Sequence, residues 1–409
     1  MATVALVGTL DTKGQDYAFL AGRLRAAGAG VIVVDAGTGT PAGLTPDIPA
    51  EQVAAAAGTT VGALRSAGDR GAAVTAMGRG AAALVSELAA AGRVDGVLAA
   101  GGSGGSSIAA QVMAALPVGL PKLLVSTMAS GDVSPYVGAK DVCVMYSVVD
   151  VAGVNRISRL VLGNAAAAMA GMALARAQAG EQGGDDERPL VAASMFGVTT
   201  PAVETARSRL TGLGYEVLVF HATGAGGRAL EALAEARLLA GVLDLTTTEL
   251  ADDLVGGVLS AGPDRLTAAG AAGLPQVIAP GALDMVNFGP RETVPERFAD
   301  RLLYVHNPTV TLMRTTASEM AELGARVGRK AAAATGPAEV FWPDRGVSAL
   351  DADGQPFCDA TADAACRDAL AAELSAAGQA LRRMDTHIND PAFARAMADR
   401  LHQMIQGRS

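Results

Sequence analysis

Four glycines and three serines follow one apolar run of this sequence and are its clearest indication of a binding site. The run at 94–100 leads into GGSGGSS at 101–107, and an apolar helical pattern begins at Ile108. Glycine lets backbone approach a ligand closely, and hydroxyls with the free N–H groups of a helix start can hold an anion. We therefore predict a phosphate or carboxylate site, with a tight turn as the alternative. The predicted contacts are Gly101, Gly102, Ser103, Gly104, Gly105 and Ser106.

A second candidate loop, GTLDTKG at 8–14, follows the first apolar run and precedes an amphipathic helix. Lys13 adds a cation where the N–H groups of a helix start already favour anions, and Asp11 could hold a metal ion. The loop differs from a phosphate-binding P-loop because its lysine precedes its second glycine. A capped turn with a solvated lysine is the alternative. The binding residues expected in this loop are Gly8, Thr9, Asp11 and Lys13.

Polar residues also end the other apolar runs of the first 150 residues, and those we consider for ligand binding are Asp35, Gly37, Thr127, Gly131, Asp132 and Asp150. The carboxyl ends of parallel strands meet at one edge of a sheet, where nucleotides bind in doubly wound folds. We expect Asp35 to contact ribose hydroxyls. A magnesium ion would be held by Asp11, Asp132 or Asp150. Ordinary caps and turns explain each residue taken singly.

Two other motifs overlap the glycine-rich segment. Residues 102–107 read G-x-G-x-x-S, a broken dinucleotide fingerprint that lies in a later turn than the first, which argues against NAD. Residues 101–105 match G-x-S-x-G, in which Ser103 would be the nucleophile of a hydrolase. All four histidines lie from His221 onward. A catalytic triad would therefore have to reach Ser103 from the second half of the chain.

The second half of the chain carries a different set of candidate catalytic residues, Asp284, His306 and Arg314. His306 follows an apolar run and could act as a general acid or base, and Arg314 could clamp a carboxylate or phosphate at a helix start. A histidine beside Asn-Pro also fits a structural role. The spacing of Asp284, His306 and Asp344 matches no metal-binding signature.

The composition restricts the class of protein. The 409 residues are 50% hydrophobic and only 3% aromatic, and 50 of them are glycine, which is typical of an alanine-rich α/β protein of two to three domains. A net charge of −9 excludes a general attraction to nucleic acid or anionic membranes. Three cysteines are too few for a disulfide framework, and no signal peptide is evident. We expect a cytoplasmic protein in which the apolar segment 159–176 is a buried helix.

A weak internal repeat indicates two related domains. The pattern at 4–37 returns at 190–224, so that Asp35 and His221 end equivalent strands, and the gap between the copies holds a charged, glycine-rich linker at 177–189. Short, fully apolar runs alternate with helical segments, as in parallel sheets covered on both faces. We predict an α/β protein of two tandem Rossmann-like doubly wound parallel-sheet domains. Residues 1–180 would bind the nucleotide, and residues 189–409 would form a second α/β domain with C-terminal helices.

Several longer motifs carry a family resemblance. They include GTLDTKG at 8–14, LLVSTMASGDVSPYVG at 123–138, PGALDMVNFGP at 280–290 and HNPTVTLMRTT at 306–316. Together they resemble the N-terminal region of the tomato mosaic virus resistance protein family over nearly the whole chain. The resemblance implies an ATP-binding region of two Rossmann-like α/β domains that associates as a dimer. The virus-binding role of the plant member is not carried over.

These observations lead to one main hypothesis, a cytosolic ATP-binding enzyme that uses Mg-ATP on a small acidic metabolite at a cleft between the domains. The expected partners are a nucleotide, a small carboxylate substrate and a second copy of the chain, without nucleic acid or membrane. One alternative is a regulatory module that binds nucleotide without turnover. The other alternative is a serine hydrolase that uses Ser103 as its nucleophile.

Overall fold

A computed structural model describes residues 1–179 and 188–407. The chain divides into two compact units, Met1–Asp185 and Asp186–Ser409. Each unit contains a parallel β-sheet between helices, which confirms the predicted fold class. Most of the predicted linker at 177–189 lies outside the described residues.

Residues 1–179 of the first unit form five strands and seven α-helices. The strands are β1 (Thr3–Gly8), β2 (Gly30–Asp35), β3 (Gly96–Gly101), β4 (Lys122–Ser126) and β5 (Val142–Tyr146). The helices are α1 (Leu10–Ala26), α2 (Ala50–Ala56), α3 (Val61–Ala67), α4 (Arg70–Ala90), α5 (Ser103–Ala114), α6 (Ser134–Val137) and α7 (Arg156–Ala179). All strand pairs are parallel, in the order β2-β1-β3-β4-β5.

Both faces of this sheet are covered because its strands are apolar on both sides. Along β1, Ala5 and Val7 face a core shared with α2, α4 and α5, whereas Val4 and Leu6 face a core shared with α1 and α7. The chain leaves β1 toward β2 on one side and returns to β3 on the other. This reversal is the topological switch point, where doubly wound folds bind ligands.

Helix α7 contains the apolar segment for which we predicted a buried helix. One face of it, including Leu162 and Met169, packs in the core, while Leu160 is 62% exposed. By length and composition alone, the stretch Arg156–Gln178 could cross a membrane. A core helix of a globular protein meets the same criteria, so the observation does not place the protein in a membrane.

The second unit repeats the strand order of the first and extends it. Its strands are β6 (Leu190–Met195), β7 (Glu216–His221), β8 (Gly241–Thr246), β9 (Gln276–Gly281), β10 (Met285–Phe288), β11 (Leu303–Asn307), β12 (Val310–Arg314), β13 (Ala338–Pro343) and β14 (Arg382–Met384). Its helices are α8 (Thr200–Gly212), α9 (Ala225–Glu235), α10 (Glu249–Val255), α11 (Ala268–Ala271), α12 (Ala317–Ala332), α13 (Ala360–Ala376) and α14 (Pro391–Ile405). The main sheet has the order β7-β6-β8-β9-β13-β14.

An antiparallel sheet, β10-β12-β11, was not predicted. Its hairpin turns at 307–310, between two apolar runs. The apolar run in β12 is mostly buried. It therefore lacks the alternation of apolar and polar residues by which a half-exposed antiparallel strand is recognised in a sequence. His306 consequently lies inside an antiparallel strand and not at the tip of a parallel one.

Candidate functional site

A cavity of about 540 Å³ lies at the switch point of the first unit. We call it the first-unit cavity. The loops after β1, β2 and β3 form one side of it, and the α3–α4 segment forms the other. The predicted site residues that line it are Thr9, Asp11, Lys13, Gly37, Gly102, Ser103, Gly104 and Gly105. A cavity of this size is in the range of small-molecule sites.

The N-terminus of α5 forms the floor of the cavity without a side-chain cap. Its N-cap residue is Gly102, which makes no capping hydrogen bond, and the first bond of the helix runs from Ser106 N to Gly102 O. The preceding N–H groups, of Ser103, Gly104 and Gly105, have no acceptor within the helix. The helix start is therefore ready to receive an anion.

Three glycines at this helix start are not explained by packing. A Cβ added to Gly102, Gly104 or Gly105 would approach no other atom closer than 3.5 Å, and none of the three has a positive φ. Glycine in a helix nevertheless costs about 0.5–1 kcal/mol relative to alanine. The residues 102–105, which we call the glycine cradle, thus keep free a space that the fold does not fill.

Three cations line the first-unit cavity, two of which were not predicted from the sequence. Lys13 donates to Val151 O and Arg65 to Thr38 O, so both are held by backbone carbonyls. The Nη2 atom of Arg70 lies 3.8 Å from the point where a Cβ on Gly104 would stand. Among the described residues no hydrogen bond engages the guanidinium of Arg70, which leaves its donors free for a ligand.

Sequence reasoning missed Arg65 and Arg70 because neither follows an apolar strand. One signal was present. Asp69 caps α4 by accepting from Ala72 N, and Arg70 is the first residue of that helix. A cation at a helix N-terminus is disfavoured by the helix dipole, so an arginine there indicates a role outside the helix.

Two carboxylates lie where the loops after β1 and β2 meet. Asp11 lines the cavity and accepts from Gly39 N at 2.7 Å. Asp35 lies behind Gly37, is 1% exposed, and accepts from Leu10 N at 3.1 Å and Gly37 N at 2.9 Å. Burial raises the pKa of Asp35, and the charge of Asp11 raises it further. In this arrangement Asp35 joins the two loops and does not itself line the cavity.

The other predicted binding residues of the first unit do not line the cavity. Gly8 gives room to Tyr17, since a Cβ would lie 1.9 Å from Tyr17 Cζ, and Gly101 packs on Gly105. Ser106 is buried and bonds Ser126 across 2.6 Å. The remaining predicted contacts, none of which lines the cavity, are Thr127, Gly131, Asp132 and Asp150.

The three predicted magnesium ligands do not come together. Asp132 is exposed and accepts from Ser134 N, and Asp150 is exposed after β5. Among residues 1–179 and 188–407, no group of three His, Cys, Asp or Glu side chains has the geometry of a metal site. Of the three predicted ligands, Asp11 alone is at the cavity.

Two of the three candidate catalytic residues of the second unit are brought together in a buried cluster. Arg314 donates to Asp351 at 3.3 Å and to Asp363 at 2.9 Å, while Asp284 accepts from Ser348 at 2.7 Å. Burial, with the charges of Asp284 and Asp363, raises the pKa of Asp351 to about 9. Burial also raises the pKa of Asp284, to about 6. The raised pKa of Asp351 favours its protonated form at neutral pH.

His306 is separate from this cluster. It is exposed near the turn of the β11–β12 hairpin, whereas Arg314 N bonds Leu302 O at the opposite end. The structure therefore brings together Asp284 and Arg314 but not His306.

The loop after β8 in the second unit corresponds to the loop after β3 in the first unit. Unlike the loop after β3, it is filled by side chains of its own unit. Arg265 is fully buried and donates to Glu249 at 2.6 Å and to Asp244 at 2.5 and 2.6 Å. Glu249 also accepts from the N–H groups of Gly224 and Gly227 at the start of α9. A carboxylate of the chain itself thus occupies the start of α9.

The fold and the cavity define a two-unit, doubly wound α/β protein with an open cavity at the switch point of its first unit. The chain belongs to the uncharacterised protein family UPF0261, whose N-terminal domain matches residues 2–178 and whose C-terminal domain matches residues 188–405. Neither description assigns a ligand or a reaction.

Related sequences match nearly the whole chain. A UPF0261 protein of Clostridium tetani is 48% identical over 98% of this chain and 99% of its own length. The tomato mosaic virus resistance protein Tm-1 of Solanum lycopersicum is 38% identical over 97% of this chain, which covers 55% of the tomato protein. The predicted relationship to the tomato family is thereby confirmed. A spinosyn rhamnosyltransferase structure gives a TM-score of 0.19 at 13% identity, too low to indicate a common fold or function.

Proposed function

We propose that the first unit binds a phosphate-bearing small molecule at the glycine cradle, and that this ligand is a nucleoside triphosphate, with ATP as the expected one. The observation that carries the proposal is the open start of α5, where uncapped N–H groups face a cavity beneath the free guanidinium of Arg70. N–H groups at a helix start and an arginine are the usual partners of phosphate.

The lining of the cavity combines polar and apolar side chains. Leu64, Val74, Met77 and Ile108 line it together with the cations and the cradle, and Val74 lies as close to the Gly104 position as Arg70 does. A ligand that carries both an apolar base and phosphates matches such a mixed lining. Among the residues that the structure describes, no aromatic side chain lines the cavity, so the base would be held by aliphatic packing.

We assign no second substrate to Asp284 and Arg314. Both side chains are at least 95% buried, and the partners of Arg314 are the carboxylates of its own unit.

Isothermal titration of the full chain with ATP, ADP and a nonhydrolysable analogue tests the proposal, first in EDTA and then with magnesium. We expect micromolar binding that Gly104→Val abolishes, because its side chain would occupy the cradle. Gly171→Val is the matched control, since Gly171 is also a helix residue with open space around it. The proposal fails if no nucleotide binds, or if both variants bind ATP as the wild type does.

A further inference from the structure

The segment after β5, residues 147–153, which we call the strap, contains a backbone turn that is unfavourable for its sequence. Val148 has a φ of 65°, and Val149 N donates to Ser147 O at 2.7 Å. A hydrogen bond that encloses a single residue at positive φ forms a γ-turn of the rare, strained kind. A β-branched residue is a genuine outlier at positive φ. Because Val148 is 58% exposed, burial of its side chain does not explain this conformation.

Both ends of the strap are fixed by neighbouring elements of the first unit. Ser147 N donates to Ser126 O at 3.2 Å, at the end of β4. Gly153 N donates to Asp16 Oδ2 at 2.9 Å, and Asp16 is a buried residue of α1. A strained residue persists only where its surroundings hold it in place, and these two contacts supply part of that restraint.

The middle of the strap is held by a residue of the first-unit cavity. Lys13 lines that cavity, and its Nζ atom donates to Val151 O. Lys13 also departs from helical geometry inside α1, with a φ of −129° and a ψ of 18°. The two backbone irregularities, at Lys13 and at Val148, therefore lie on the two segments that this hydrogen bond joins.

A phosphate in the cavity would compete with Val151 O for the ammonium group of Lys13, because an anionic oxygen attracts a cation more strongly than a neutral carbonyl does. Lys13 lines the same cavity as the glycine cradle. We propose that Lys13 exchanges Val151 O for a ligand phosphate, and that the strap then relaxes its strained turn at Val148. Occupancy of the cavity thereby controls the conformation of the strap. This inference rests on the proposed function for the phosphate.

Hydrogen–deuterium exchange of the full chain, read in peptides that contain residues 147–153, tests the proposal. We expect saturating ATP in EDTA to accelerate exchange of the strap amides at least about fivefold, because the freed strap opens more often. Lys13→Met, which keeps the length of the side chain but has no donor, should accelerate exchange similarly without any ligand. Lys140→Met is the matched control, since Lys140 belongs to the first unit and does not line the cavity.

A second variant distinguishes stored strain from a fixed structural contact. Val148→Gly permits positive φ without strain, so the unfolding midpoint should rise by roughly 2–4 °C. ATP affinity should fall about threefold or more, because binding no longer relieves strain in the strap. Val258→Gly is the control at a valine that is 64% exposed and has no positive φ, and it should lower the midpoint.

The proposal is overturned if ATP binds without accelerating exchange in the strap, or if Lys13→Met exchanges as the wild type does. A raised midpoint in Val148→Gly with unchanged ATP affinity would equally overturn it. Titration calorimetry separates these results from the proposed function, which fails if no nucleotide binds. Accelerated exchange in ligand-free Lys13→Met would in that case still support the coupling of Lys13 to the strap.

Discussion

The hydroxyl of Tyr17 closes the gap between the first and third strands of the first unit by bonding to Ala100. Tyr17 Oη accepts from Ala100 N at 2.8 Å and lies 2.9 Å from Ala100 O and 2.6 Å from Val7 O. The pairing of β1 with β3 ends at Val7 and Ala99. The Tyr17 hydroxyl thus takes the place of backbone hydrogen bonds between β1 and β3, at the point where the two strands separate to form the switch point.

Removing this hydroxyl should loosen the base of the cavity. Tyr17→Phe leaves the buried N–H of Ala100 without its acceptor, and an unsatisfied buried donor costs about 1–3 kcal/mol. We expect a lower thermal unfolding midpoint by circular dichroism and weaker ATP binding. Tyr146→Phe, at an exposed tyrosine, should change the stability by less than about 0.5 kcal/mol. Equal midpoints for the two variants would show that the hydroxyl does not support the strands.

Arg70 should contribute affinity through its charge. Arg70→Gln removes a guanidinium that faces the glycine cradle, and a hydrogen bond to a charged group is worth about 1.5–3 kcal/mol. We expect ATP affinity to fall roughly ten- to hundredfold, together with a smaller dependence on ionic strength. Arg79→Gln is the control on the same helix, because Arg79 donates to Ala57 O and does not line the cavity. The role of Arg70 would be refuted by titrations in which both variants match the wild type.

A smaller change at the cradle should separate stability from binding. Gly104→Ala places a methyl group no closer than 3.8 Å to other atoms, and alanine in a helix is favoured over glycine by about 0.5–1 kcal/mol. We therefore expect a slightly higher unfolding midpoint and a lower ATP affinity in the same variant. Unchanged affinity with raised stability would mean that phosphate does not need this space.

The buried acids of the second unit should make its stability depend on pH. The pKa of Asp351, raised to about 9 by burial and by the charges of Asp284 and Asp363, lies above the value of about 3.9 expected in the unfolded chain. The folded state then holds the extra proton, so stability is greatest at low pH and declines as pH rises to about 9. Asp351→Asn should flatten this decline by roughly 1–2 kcal/mol between pH 7 and 9.

Urea unfolding followed by tryptophan fluorescence measures this effect in the right part of the protein. The single tryptophan, Trp342, is buried in the second unit, in the same hydrophobic core as Cys366. Asp353→Asn serves as the control, since Asp353 is exposed two residues from Asp351. If the wild type and Asp351→Asn lose stability equally between pH 7 and 9, Asp351 does not carry the proton.

Much of the fold follows from local pattern. Fully apolar runs predict parallel strands buried on both faces, and the strands at 31–34 and 94–100 were placed correctly for that reason. The change from strand to helix after residue 100 was also predicted, but Gly101 ends the strand and the helix begins at Ser103, before the apolar pattern that starts at Ile108. The duplicated strand order also agrees with the sequence repeat. These features depend on residues close together in the chain, whose types set the backbone conformation directly.

Only the tertiary structure decided which of the polar residues meet. Arg70 reaches Gly104 from another helix, Asp35 turns behind Gly37 toward Asp11, and Arg314 is buried among carboxylates. The physical reason is that the destination of a side chain depends on how distant elements pack, and a single sequence carries no direct record of that packing. The sequence by itself therefore determined two doubly wound units and a glycine-rich helix start, and the packing of those elements selected the residues around it.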